Sequence, residues 1–395
     1  MRKIGIVAVV VFVASWMFSL FCMHAAGQAG GTVKEENGSV VSGESVLDGY
    51  GQTEVERSVS GQTTGWDSNG DSQDSGKTAG WNGNSHSADQ GDGEAYSRRI
   101  ILERYGVRTY LSVEDYLPGV MVCQTGPEMG MEALKCQAVI ARTYIYRQMG
   151  EREEIQEEEL DLDYLGDDTA RAGNTLTVHQ KEELAKRLEQ CRQAAETTAG
   201  VVMKYEDRYI LPLFHERSAG RTRTGEADYP YLQSVESKWD IVGSESEASF
   251  RSSEFAQRRT GAGAAKEVAA GVSEVSFSLS EFAQRIKNLS DAPSLDPGRI
   301  SSEIQIVKRD DAGYVLQIKI GPRTYTGDDV QDALDLPSTC FTIDTRTSGT
   351  IAVTVKGRGH GYGLSQNGAQ AMAEEGWSYS DILNYYYKNI SLMTE

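Results

Sequence analysis

The segment Lys356-Gly-Arg-Gly-His-Gly-Tyr-Gly-Leu-Ser-Gln-Asn-Gly-Ala369 puts a glycine at every second position from Gly357 to Gly363. Among them stands His360, the only histidine after His215. Glycine at that density asks the backbone to turn sharply or to approach another segment closely. Ser365 and Gln366 then open a predicted helix, whose first N–H groups have no intrahelical partner. A histidine and two polar side chains at such a turn suit recognition of a polar substrate. A tight strand-to-helix turn with an incidental histidine would give the same pattern.

Working upstream, Phe214-His-Glu-Arg-Ser-Ala-Gly-Arg-Thr222 closes a strand-rich run that begins at Val201. Small residues at Ser218, Ala219 and Gly220 separate His215 from Arg221, so this is either a second substrate-facing loop or a surface turn. Arg98–Leu111 alternates like a strand pair with Gly106 at its turn, and Ser112-Val-Glu-Asp115 opens a helix over Val113–Val120. Cys123–Gly130 is a loop. Glu132–Met149 follows as an Ala-rich helix with Leu134, Ala138, Ala141 and Ile145 on one face and Gly150 as its stop. Thr177–Ala199 is another helix. Strands are expected at Ile304–Val307, Tyr314–Ile320, Cys340–Asp344 and Thr350–Val355, and helices at Phe277–Ile286, Gln366–Glu375 and Ser378–Lys388. The fold class is therefore α+β.

The chain has 395 residues, but its ordered part is expected to be shorter. Arg2 and Lys3 precede Ile4–Met23, an apolar run long enough to span a bilayer. The segment 1–27 is taken as an uncleaved membrane anchor, with a cleaved signal peptide as the alternative. Either way the remainder faces outside the cytoplasm. Residues 28–96 are rich in Gly, Ser, Thr, Asn and Gln and form an expected disordered linker, with an end-to-end distance of roughly 45 Å. The domain then runs over 97–395, with insertions near 151–176 and 241–272. The first of these begins with acidic Glu151–Asp168, expected to be solvated. A net charge of −19 argues against nucleic acid and anionic lipid surfaces as partners. Cys123, Cys136, Cys191 and Cys340 lack C-x-x-C spacing and histidine neighbours, so no metal site and no cofactor is expected. A disulfide between Cys123 and Cys136 is left open.

Taken in order, these segments resemble the SpoIID/LytB domain family. The likeness is carried by Tyr116-Leu-Pro-Gly-Val120, Glu132-Ala-Leu-Lys-Cys-Gln-Ala-Val-Ile-Ala-Arg-Thr143, the Phe214–Thr222 loop and Tyr231-Leu-Gln-Ser-Val235. It continues through Leu336-Pro-Ser-Thr339 with Phe341, the glycine turn, and Ile382-Leu-Asn-Tyr-Tyr386, and so covers essentially all of 97–395. The resemblance implies a membrane-anchored sporulation protein that acts on peptidoglycan while the forespore is engulfed, beside a wall amidase and a membrane scaffold. It implies a lytic transglycosylase of glycan strands whose stem peptides have been removed. It also implies that Arg142, His215, Ser218, Arg221, His360, Ser365 and Gln366 hold the sugar.

That chemistry needs only one carboxyl group. A hydrolase uses one carboxyl to protonate the leaving oxygen and another to activate water or form a covalent link. In lytic cleavage the sugar's own primary hydroxyl attacks, and one Glu can give a proton and then take one back. The resemblance places this Glu eight residues before Glu132, where the chain has Gln124. An amide fills nearly the same volume but has no proton to exchange near neutral pH. The site is then inactive and retained for binding, or Glu128 in the same loop supplies the acid, or the loop is shifted in register; Glu132 is a weaker substitute. Ala219, where the family often has Gly, and Gln331, where it often has Arg, are milder departures. A non-catalytic glycan-binding or scaffolding protein is the main competing function. A cysteine hydrolase using Cys123 with His360 has the residue types but no local nucleophile signature.

Overall fold

The computed structural model describes residues 98–166, 176–241, 266–293, 295, 299–345 and 349–395. The expected anchor and linker lie outside these residues, as do 167–175 and 242–265 within the two expected insertions. Helices and strands mix as anticipated, and the buried apolar side chains form two clusters.

The first core is mainly helical. Arg99–Arg104 and Val107–Ser112 form an antiparallel hairpin, with Tyr105 and Gly106 at φ 54° and 77°. Ser112 caps the next helix, Val113–Gln124, by accepting the Asp115 N–H at 3.1 Å. Met131–Met149 is the central helix: Leu134, Ala138, Ala141 and Ile145 are all buried, as its periodicity predicts. Val178–Thr197, opened by a reciprocal cap between Thr177 and Gln180, packs against both. The acidic run after Gly150 is not wholly solvated. Glu154–Gln156 adds a parallel strand to the hairpin with Ile155 opposite Ile100, Leu160 is buried, and Glu157 pairs with Arg104. Two apolar anchors in an otherwise charged run are enough to dock it.

Arg142 lies inside this core with no exposed surface. Its Nε and Nη2 donate to the two carboxylate oxygens of Glu114 at 2.7 and 2.6 Å. The remaining donors reach the Ala195 and Val201 carbonyls, each at 3.1 Å, and the Thr198 hydroxyl. All five guanidinium N–H groups are thus satisfied by protein, tying three helices and a strand together. Lysine cannot reproduce that fork. Arg142→Lys is expected to cost about 2 kcal/mol of unfolding free energy, read as a lower urea midpoint; an unchanged midpoint would contradict this.

The second core is mainly sheet. Phe341–Asp344, Thr350–Lys356, Val272–Ser278 and Lys266–Ala269 lie side by side in that order. Val275 and Phe277 alternate inward from one strand, and Ile351, Val353 and Val355 from its neighbour. Ile304–Arg309, Val315–Ile320 and Arg323–Thr326 make a second sheet; the helix Gly327–Leu334 packs on it, and the helix Leu279–Ile286 packs on the first sheet and on Gly327–Leu334. Thr326 starts the latter helix through a reciprocal cap with Asp329.

The glycine turn carries the chain from the last strand of this sheet core into the helix Gln366–Glu374 of the first. All four alternating glycines have positive φ, between 68° and 99°. At Gly363 a Cβ would sit 1.9 Å from the Leu213 carbonyl oxygen. That oxygen already accepts the Leu364 N–H and the Tyr387 hydroxyl and has no room to retreat. Glycine here permits both the turn and the close approach. The turn thereby meets the other histidine segment: Leu364 and Ser365 pair in parallel with Phe214 and His215.

Candidate functional site

A buried aspartate organises the meeting point of the two turns. Asp240 is fully buried at the end of the short helix Lys238–Asp240. Its Oδ2 accepts the Ser218 N–H at 3.0 Å and hydroxyl at 2.6 Å. Its Oδ1 accepts the Ser365 hydroxyl at 2.9 Å and the Asn367 amide at 3.0 Å. Burial raises its pKa, and the hydrogen bonds from Ser218, Ser237, Ser365 and Asn367 oppose that rise. Ser365 also accepts the Gly368 N–H and so caps the helix Gln366–Glu374. Ser218 and Ser365, expected to touch sugar, are here both buried and directed at Asp240.

The histidines form a neutral pair with ring centroids 5.6 Å apart. The Tyr362 N–H donates to His360 Nδ1 at 3.0 Å, so Nε2 carries the proton and donates to the Phe214 carbonyl at 2.8 Å. Both ring nitrogens of His360 are occupied, so it has no free lone pair with which to act as a general base for Cys123. His215 donates from Nδ1 to the Tyr362 carbonyl at 3.1 Å, and its Nε2 lone pair is buried without a partner among the described residues. Burial pushes the His215 pKa down to about 4. Burial, then the neighbouring His215 and Arg223, push that of His360 down to about 3.

Arg223 rather than Arg221 is the arginine at the centre. It is buried and donates to Asp310 Oδ2 at 2.6 Å and to the His360 carbonyl at 3.3 Å. Its guanidinium lies 4.4 Å from the ring centre of Tyr362 and 4.9 Å from that of Tyr314. Tyr314 in turn accepts the Ala219 N–H at 3.1 Å. Arg221 is exposed, its backbone bridged to Glu236.

Three amides join the end of the helix Val113–Gln124 and the Ala-rich helix to the start of the helix Gln366–Glu374. Gln137 Nε2 donates to Gln124 Oε1 at 2.8 Å, and Gln366 Nε2 donates to the Gln124 carbonyl at 2.9 Å and to Gln137 Oε1 at 3.2 Å. Gln137 and Gln366 are buried, and Gln124 is half-buried. Glu128 is exposed in the turn that follows. Glu132 receives Lys135 Nζ at 2.6 Å and the Tyr379 N–H at 2.7 Å. Burial acts to raise its pKa, but these two hydrogen bonds outweigh it and hold the carboxyl below its usual value. Glu132 thus tethers the helix Tyr379–Tyr386 as an anion and is badly placed to donate a proton. Cys136 donates to the Tyr379 carbonyl at 3.5 Å, and no disulfide joins it to Cys123.

Gln124, His215, His360, Ser365 and Gln366 are therefore brought together, with Ser218 behind them. Arg142 lies within the helical core, and Arg221 on the outer surface. Asp240, Gln137 and Arg223 were missing from the sequence-derived set. Gln137 had a signal, a lone amide between Cys136 and Ala138 in an apolar helix. Asp240 had none, because its partners Ser365 and Asn367 are more than 120 residues away.

Fold and site together define an α+β domain with a polar, amide-rich site where two hydrophobic cores join. A family profile described as "SpoIID: Stage II sporulation protein" matches residues 103–205, which include Gln124 and the Ala-rich helix. The chain is 30% identical over 293 residues to Stage II sporulation protein D of Bacillus amyloliquefaciens, covering 71% of this chain and 74% of that one. The protein of the same name from Bacillus subtilis (strain 168) is 30% identical over 297 residues, with the same two coverages. A shorter likeness, 49% over 55 residues, is to the Amidase enhancer of Bacillus subtilis (strain 168); it covers 14% of this chain and 8% of that protein. The chain belongs to the SpoIID family of stage II sporulation proteins, as its ordered motifs suggested.

Proposed function

We propose that this protein holds peptidoglycan glycan strands during sporulation, in a transglycosylase-type site that no longer cleaves them. The observation that carries the proposal is the amide cluster Gln124–Gln137–Gln366. Gln124 stands where the family resemblance puts the catalytic acid, and its Oε1 is occupied by Gln137. Amides can bond the hydroxyl and acetamido groups of sugars but cannot supply the proton that the leaving oxygen needs. Neither histidine substitutes, since burial keeps both neutral at pH 7. Membrane attachment through Ile4–Met23, with the domain outside the cytoplasm, belongs to the same proposal; among the described residues no helix is long and apolar enough to cross a membrane. A wall amidase as partner is supported by the local likeness to a protein named Amidase enhancer.

A second reading keeps catalysis. Glu128 is exposed four residues beyond Gln124 and makes no ion pair among the described residues. Incubation with peptide-free glycan strands, followed by mass spectrometry for anhydro-muramyl ends, separates the two. Binding without product is expected from the native chain, and product is expected from Gln124→Glu. Product from the native chain that vanishes in Glu128→Gln would replace the first reading with the second.

A further inference from the structure

We propose that Trp239, Trp377 and Tyr385, with Lys238, Lys388 and Arg221, form a further subsite for the same glycan, one that takes carboxylate-bearing sugar rings. This rests on the glycan-binding reading and extends it beyond the amide cluster.

The three rings are arranged around Tyr385. Trp239 meets it edge-on at 6.2 Å between centroids, and Trp377 does so at 5.9 Å. Their polar edges are already engaged. Trp239 Nε1–H donates to Glu375 at 2.7 Å, and the Tyr385 hydroxyl donates to the Glu236 carbonyl at 2.6 Å. These bonds fix the ring planes, so little side-chain entropy remains to be lost when a ligand lies against them. Trp377 is 36% exposed and lies against Tyr385, which in turn packs on buried Tyr386. The C–H faces of pyranose rings suit such aromatic surfaces.

Charge selects the ligand further. Lys238 Nζ lies 5.1 Å from the Trp239 ring centre and Lys388 Nζ lies 4.9 Å from that of Tyr385. Arg221 stands exposed beside them, its backbone bridged to Glu236. Three cations stand beside these rings, together with the Glu236 and Glu375 carboxylates, in a chain whose net charge is −19. A neutral sugar polymer would not use them. Muramic acid freed of its peptide carries a lactyl carboxylate on every second sugar, which these cations match.

The patch also continues the first site. Asn367, which follows Gln366, donates to the Trp239 carbonyl at 3.2 Å and to Asp240. Glu375, which holds the Trp239 indole, lies just beyond the other end of the same helix. Nine helical residues span about 13 Å, so a strand rather than a single sugar would reach both.

The test measures affinity of the full chain, in detergent, for purified peptide-free strands and for neutral chitin oligomers by calorimetry. Trp377→Ala is expected to weaken strand binding about tenfold, measured at a temperature where circular dichroism shows the variant fully folded. Lys238→Ala with Lys388→Ala is expected to weaken strand binding by a similar factor and to leave chitin binding unchanged. If all three substitutions leave strand affinity intact while Gln124→Ala abolishes it, the subsite is refuted and the glycan reading stands. If the native chain binds no strand, both fall. Strand affinity unchanged by Trp377→Ala, together with loss of a wall amidase from the complex, would assign the patch to protein contact and overturn the proposal.

Discussion

Asp240→Ala is expected to lower the unfolding free energy by about 4 kcal/mol, among the largest effects a single change can have here. The carboxylate is fully buried and receives four hydrogen bonds from two separate turns. Removing it strands the Ser218 backbone N–H, which cannot rotate to another acceptor, and leaves the Asn367 amide short of one partner. The two serine hydroxyls can turn, so they lose less. Each unsatisfied buried donor costs about 1–3 kcal/mol. Asn in place of Asp keeps one acceptor but points an N–H₂ group at two donors, so Asp240→Asn is expected to recover little. Urea unfolding followed by tryptophan fluorescence reads both variants. A cost below about 1 kcal/mol for Asp240→Ala would mean that water or a rearranged loop satisfies these donors. The same substitution should loosen the start of the helix Gln366–Glu374 and so weaken glycan binding even though Asp240 touches no sugar.

The sequence made the local parts of this arrangement legible and the long-range parts illegible. Alternating glycines announced a turn that only positive φ permits, and the structure has all four there. The cap at Ser112 marked a helix start because a cap is a contact between residues three apart. Arg142 shows the opposite case. A polar side chain in the middle of an apolar helix can face a ligand or a buried partner, and its partners Glu114, Ala195 and Val201 lie 28 to 59 residues away. The helix Gly327–Leu334 escaped because its apolar anchors Val330 and Leu334 stand among Asp328, Asp329, Gln331 and Asp332, a composition that also reads as a polar loop. Arg221 and Arg223 differ by two positions in an irregular loop, where no periodicity says which one turns inward.

Lowering the pH from 7 to about 5 is expected to remove about 4 kcal/mol of stability through His215 and His360 alone. In the unfolded chain an imidazole takes a proton near pH 6.5. In the folded protein the two do so only near about 4 and about 3. Between these limits the unfolded state holds more protons, so stability falls as the pH falls, by about 2 kcal/mol for each ring at pH 5. The structural cause is visible at each nitrogen. His215 Nε2 would become an N–H with no acceptor, and His360 Nδ1 would turn a donor toward the Tyr362 N–H that now donates to it. Two imidazolium charges 5.6 Å apart would also repel. Carboxylates confuse this signal little, since most remain ionised in both states above about pH 5. Ring-nitrogen chemical shifts at about pH 5.5 should report a neutral Nδ1–H tautomer for His215 and a neutral Nε2–H tautomer for His360. An unfolding free energy that stays level from pH 7 to 5, or imidazolium shifts for either ring, would show that water reaches the seam and that the two turns do not close over it as a dry, fixed unit.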